Sequence, residues 1–141
     1  PLDRADEVRW DYRRSAHSAR GHPLAAFRAA LRRRGVLTAQ ALPRLPSGRR
    51  VRFVGAVICR QRPQTATGVT FMTLEDETGL VNLVVWRDVY ERFAAVAKTA
   101  PVLEVEGRIQ NEQGVSNLVA ERLRDPALTP RDETPRSRDF H

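Results

Sequence analysis

A single cysteine, Cys59, leaves this 141-residue chain no intramolecular disulfide to form. It is expected to rely on an ordinary core in a reducing compartment, with Cys59 a small strand residue. Nowhere do apolar residues run to the roughly 20 needed to cross a bilayer. The opening PLDRADEVRW also lacks the apolar stretch of a signal peptide, so a soluble, cytoplasmic protein is expected and no membrane partner. The three histidines, His17, His22 and His141, are scattered and keep no zinc-type spacing to Cys59. No glycine-rich phosphate loop is present. Catalytic residues, a metal site and a resident cofactor are therefore not expected.

Lysine is almost absent too. Of 24 basic residues only Lys98 is not arginine, a bias that suits a GC-rich genome as well as it suits phosphate binding. The net charge of +7 is unevenly placed. Residues 1–50 hold 12 Arg against 4 acids, residues 51–124 hold 9 bases against 9 acids, and residues 125–141 hold 3 against 4. Charge alone points toward nucleic acid at the N-terminal end and is silent over the middle.

Those three stretches are also the expected organisation: a helical extension (1–50), a β domain (51–124) and a flexible, proline-containing tail (125–141). In GHPLAAFRAALRRRG, Pro23 suits a first helical turn, Leu24, Phe27 and Leu31 share a face, and Gly35 is the stop. A second short helix is expected over TAQALPRL after Thr38, and Trp10 and Tyr12 suggest a docking contact. From residue 51 five β-rich runs follow: VRFVGAVICR, VTFMTLE, LVNLVVW, PVLEVEGRIQ and VSNLVAERL. Gly55 marks a bend or bulge in the first and Gly107 a curl in the fourth. DETG is a hairpin turn in which Asp76 bonds the following backbone and Gly79 supplies a positive φ; NEQG is another turn. Between the third and fourth runs, RDVYERFAAVAK reads as one amphipathic helix, with Asp88 as cap, Glu91 three residues on and Lys98 at its end. Five strands with a helix between the third and fourth is the chain order of the OB-fold, a Greek-key barrel.

In a small barrel alternate side chains fill the interior. Met72 and Leu74 then face in, as do Val81, Leu83 and Val85, leaving Phe71, Thr73 and Glu75 outside with Asn82, Val84 and Trp86. An exposed ring can stack on an unpaired base for about 1–3 kcal/mol, and an amide can bond its edge. Phe71, Thr73 and Asn82 are therefore candidate nucleic-acid contacts, with Arg60 and Arg62 placed to meet phosphates and Arg108 and Asn117 as further members. The bland alternative covers Phe71 with the helix or the N-terminal segment. Arg32, Arg33 and Arg34 form either a solvated helix end or a grip on duplex backbone. Glu104 and Glu106, on the outer side of the fourth strand, argue against an anionic ligand there.

The stretches WDYRRSAHSARGHPL, RQRP, TLEDETG and the terminal SRDFH carry a specific likeness. Across nearly its whole length the chain resembles the C-terminal end of the error-prone, damage-inducible C-family DNA polymerases of bacteria, relatives of the replicative polymerase III alpha subunit. The resemblance implies an OB domain after a helix-hairpin-helix region, near the single-stranded template, and a native C-terminus at SRDFH. It implies a parent polymerase that uses Mg2+ elsewhere, and partners that are an inactive Y-family-like mutagenesis protein and, through it, the sliding clamp. Polymerase chemistry needs carboxylates around two metals; Glu75, Asp76 and Glu77 do not qualify, since neighbours on a strand point to opposite faces, and the fragment is expected not to be an enzyme. The hairpin is also similar to the anticodon-binding barrel of aspartate-type aminoacyl-tRNA synthetases, where Phe71 matches a base-holding Phe and Asn82 stands one methylene short of a Gln. Three functions follow as expectations: a single-stranded template-binding module, a protein-docking module and, lacking an accompanying synthetase segment, an anticodon binder.

Overall fold

The computed structural model describes residues 22–62 and 68–129. A 3-10 helix, Pro23–Phe27, runs into α1 (Arg28–Arg33), and a 3-10 turn, Leu42–Arg44, leads to the strands. These are β1 (Arg50–Gln61), β2 (Thr70–Asp76), β3 (Gly79–Val85), β4 (Val102–Glu112) and β5 (Val115–Arg124), with α2 (Arg87–Arg92) and α3 (Ala94–Thr99) between β3 and β4. The strands close into a barrel in the order β1-β2-β3-β5-β4. Every neighbouring pair is antiparallel except β3 with β5. This is the five-stranded OB-fold barrel that the chain order predicts.

Alternation builds the interior. Phe53, Leu74, Leu83, Leu103, Val105 and Ile109 are fully buried within it, each contributing roughly 1.5–3 kcal/mol. Two glycines make room for closure. At Gly107 a Cβ would lie 2.1 Å from the Val119 carbonyl oxygen, and the β4–β5 register slips between Glu106 and Gly107. That is the curl expected there. Gly55 has a different role: its pairing with Leu103 is regular, and a Cβ would meet the Phe53 ring at 2.7 Å. The bulge in β1 falls instead between Val57 and Cys59, at Ile58.

Local signals decide the turns with some changes. Gln113 and Gly114 (φ 53° and 80°) form the two-residue β4–β5 turn, the left-handed pair that a tight hairpin prefers. Gly79 supplies the positive φ expected of it, at 158°. The β2–β3 turn rests on Asp76, whose Oδ1 accepts from the amides of Thr78 (2.7 Å) and Gly79 (3.1 Å). The helix expected over 87–98 is two, broken at Phe93 (φ −115°, ψ 34°), and α2 begins at Arg87 behind Trp86 with no side-chain cap. Asp88 therefore lies inside the first turn rather than at its cap. The helix expected after Thr38 shrinks to Leu42–Arg44, because the amides of Ala39 and Gln40 donate to Asp76 Oδ2 and Thr78 Oγ1 (both 2.9 Å) and not along a helix.

The N-terminal segment is bound to the barrel. Leu24, Phe27, Leu31 and Val36 bury themselves against Val54, Val102 and Leu128. Leu128 lies in the stretch expected to be a free tail; residues 125–129 instead turn back, with the Pro126 carbonyl accepting from Arg34 at 2.9 Å. Trp10, Tyr12, His17, His141 and the rest of the tail lie outside the described residues. Charge completes the docking. Arg28, itself buried, donates to Glu77 at 2.5 and 2.8 Å and to Asp76 at 3.3 Å. Burial opposes the charge of Glu77, but the bonds from Arg28 and from its own backbone outweigh it and hold the carboxyl below its ordinary range. His22 is buried, accepts from the Leu24 amide through Nδ1 (3.1 Å) and brings Nε2 to 3.3 Å from Glu75 Oε1 without the alignment of a hydrogen bond. Burial lowers its pKa below 6.5, against the pull of Glu75, Glu77 and Asp76.

Two outcomes follow. Asp76→Ala strips partners from two turn amides, from Ala39 and from buried Arg28; a loss of about 3–5 kcal/mol is expected, read from the denaturant midpoint. The folded chain protonates His22 less readily than the unfolded one, so its contribution is whole above about pH 6.5 and falls away as the pH drops below that. Stability measured from pH 8 to pH 5 should decline, and His22→Asn, which keeps an acceptor for Leu24, should flatten this part of the decline.

Candidate nucleic-acid interface

Pairing register assembles the outer face of the barrel into two rows that run across the strands. In the first, Cys59 stands opposite Thr73, Thr73 opposite Asn82, Asn82 opposite Asn117 and Asn117 opposite Gln110. The second carries Gln61, Phe71, Val84, Val119 and Arg108 in the same strand order. Residues directly opposite point to the same side of a sheet, so Phe71, Thr73, Asn82, Arg108 and Asn117, spread over 47 positions of sequence, share one surface.

Four of them line one groove. Phe71, Thr73, Asn82 and Asn117 border an open cleft of about 280 Å³, together with Cys59 and Gln61. That is near the lower end of ligand pockets, about 300–1,000 Å³, and the cleft is open, a shape that receives a flat group from one side. The Phe71 ring is 42% exposed. The described part of the N-terminal segment, from residue 22 on, does not cover it, since it packs on Val54 and Val102. Among the described residues no formal charge lines the groove: it offers one ring, hydroxyl and amide groups, and a thiol.

The two arginines expected beside it are placed elsewhere. Arg60 sits opposite Met72, on the inward parity, and reaches the end of the barrel, where it donates to the carbonyls of Ala97 (2.7 Å) and Ala100 (2.6 Å). It terminates α3 as a cation at a helix C-terminus. The cause is the bulge at Ile58: one extra residue flips the parity beyond it, turning Cys59 and Gln61 outward and Arg60 away. Arg62 lies over the Tyr90 ring, 4.3 Å from its centroid. Cys59 and Gln61 were missed for the same reason, since no residue in VGAVICRQ announces which one will be doubled.

Arg108 donates to Glu121 (3.0 Å) and to the Gly48 carbonyl (3.2 Å) and stays half exposed. Of the arginine cluster, Arg32 and Arg33 are exposed in the last turn of α1, whereas Arg34 turns inward to the Pro126 carbonyl and Glu104. The acidic β4 face expected to repel a polyanion does not exist as such. Glu104 is buried, takes Arg124 at 2.7 Å and faces Arg34 and Arg52, while Glu106 takes Arg52 at 2.8 Å. Hydrogen bonds and charge from Glu104 raise the Arg124 pKa above its ordinary value. Among the described residues, no helix is long and apolar enough to cross a membrane.

Comparison with known proteins agrees with the fold. The chain is 46% identical over 97% of its length to the error-prone DNA polymerase of Anaeromyxobacter dehalogenans (strain 2CP-C), covering 12% of that protein. It is 44% identical over 96% of its length to the error-prone DNA polymerase of Methylococcus capsulatus, covering 13% of it. It thus spans about an eighth of the curated relatives it matches, and the likeness read from GHPL, RQRP and TLEDETG holds along the chain. Among solved structures, asparaginyl-tRNA synthetase from Pyrococcus horikoshii complexed with asparaginyl-adenylate superposes with a TM-score of 0.54 at 26% identity, over 64% of this chain and 22% of that one. Residues 51–126, more than half of the chain and all but the first residue of the barrel, match one family: the chain belongs to the OB-fold nucleic acid binding domains.

Proposed function

We propose that this chain is the single-stranded-DNA-binding module of an error-prone DNA polymerase, holding template during damage-induced translesion synthesis. The observation that carries the reading is the uncharged groove in which the exposed Phe71 ring stands beside the amides of Asn82 and Asn117. A duplex hides its π-faces and pairing edges; a single strand presents both. A ring takes the first and a carboxamide the second, and neither demands a sequence. That suits a template that must pass whatever base it carries. The kinship with error-prone polymerases supplies the context. Nucleotidyl transfer and its Mg2+ fall to other parts of such a polymerase, and this module has no catalytic role.

A second reading, a docking module for an inactive Y-family-like mutagenesis partner and through it the sliding clamp, is favoured by one observation. Leu80 and Trp86, 60% and 47% exposed, leave apolar surface at both ends of β3. The two readings separate on the groove residues, because partner binding through Leu80 and Trp86 survives their loss.

Fluorescence anisotropy with a labelled oligonucleotide at low salt tests the first reading. Phe71→Ala should weaken binding roughly 5- to 150-fold, the equivalent of about 1–3 kcal/mol for a lost stack, with little change in melting temperature because the ring is exposed. Arg60→Ala should do the reverse, lowering stability by about 1–2 kcal/mol while affinity stands. Undetectable binding by the parent chain, or parent-like affinity in both Phe71→Ala and Asn82→Ala, would overturn the proposal.

A further inference from the structure

The second outer row does not stop at the groove. From Phe71 it passes Val84 and Val119 to Arg108, and Arg108 stands directly opposite Arg50, the first residue of β1. Like charges placed directly opposite are unfavourable on a sheet, and here they share one carboxylate. Glu121 lies 3.0 Å from Arg108 Nε and 3.3 Å from Arg50 Nε. The pair keeps a surplus of positive charge and is 50% and 64% exposed at its side chains. Arg49, exposed one residue before Arg50 at the same end of the barrel, adds to the positive charge there.

The segment that carries these arginines is held in place. Asn111 donates to the carbonyls of Leu42 (3.3 Å) and Leu45 (2.6 Å), its amide donates to Ser47 Oγ (3.1 Å), and the Gly48 amide donates to the Ile109 carbonyl (2.7 Å). Arg108 bonds the Gly48 carbonyl as well. Such a support gives the cationic end little conformational entropy to lose on binding.

We infer that a bound single strand continues past Asn117 over Arg108 to Arg50 and Arg49, where its phosphates replace the missing counter-charge. The inference rests on the groove being the base-binding site. Each cross-strand step is about 4.8 Å; four steps from Phe71 to Arg50 make a track of about 19 Å along the wall, roughly three extended nucleotides and so at the short end of OB-fold sites. Bases are held at one end and phosphates at the other. This division fits a groove lined, among the described residues, by no cation: charge is supplied by the first residues of β1, outside the pairing that forms the cleft.

The experiment uses the 141-residue chain with thymidine dimer, which is too short to reach from the groove to Arg50, and thymidine dodecamer, titrated across a range of salt. The dodecamer should bind more tightly than its registers along the strand supply by statistics alone, by on the order of a further tenfold at low salt. The double variant Arg49→Ser, Arg50→Ser should lose that further gain and leave dimer affinity unchanged. Its salt slope for the dodecamer should be shallower by about 1.4, two contacts at about 0.7 each. Arg49→Lys, Arg50→Lys keeps the charge and should retain most of the further gain, which guards against misfolding as the cause. A dodecamer affinity and salt slope that stand unchanged in the serine variant overturn the track alone. Failure of both dimer and dodecamer to bind the parent overturns the groove as well.

Discussion

One carboxylate ties the architecture together. Asp76 spends Oδ1 on the amides of Thr78 and Gly79, closing the β2–β3 hairpin, and Oδ2 on the Ala39 amide and Arg28, fastening the N-terminal segment to that turn. A buried carboxylate is tolerable only when its lone pairs are taken. Here taking them means that the hairpin cannot form its native turn and the extension its native path independently. Glu77 and Glu75 add charge at the same place, facing Arg28 and His22. The acidic run that looks like a metal site in one dimension is a docking plate in three: Asp76 and Glu77 share Arg28, and Glu75 faces His22.

That use of the acids changes what net charge means. The barrel region sums to zero by sequence, yet its acids are not distributed evenly. Glu75, Asp76 and Glu77 are consumed at the N-terminal segment, and Glu104 and Glu106 are consumed by Arg34, Arg52 and Arg124. Among the described residues, what reaches solvent on the candidate nucleic-acid face is an uncharged cleft that passes into a cationic edge. A polyanion meets a field set by the unpaired remainder and not by the total.

The barrel also shows how one inserted residue decides chemistry. Pleat parity is a binary property, so a bulge at Ile58 exchanges the two faces for everything after it in β1. Without it Arg60 would stand in the row with Phe71 and Cys59 would face the core. With it, the groove gains Gln61 and loses a cation, and α3 gains a C-terminal partner.

Much was legible in the sequence for local reasons. Alternation in FMTLE and VNLVV is enough to place Phe71, Thr73 and Asn82 outside, since a strand has two faces and apolar residues claim one. Gly107 marked its curl, and the strand order with an intervening helix named the barrel. Where partners come from far along the chain, local signals failed: the amides after Thr38 go to a hairpin about 37 residues away, the Arg60 guanidinium goes to a helix end 37 and 40 residues away, and Leu128 folds back on Leu24. Sequence alone determined which side chains could be outside, because that depends on period and polarity within a few residues. Only the tertiary structure decided which of those outward groups stand side by side and which arginines remain free, because register, bulge position and long-range pairing of buried charges are properties of the closed barrel as a whole.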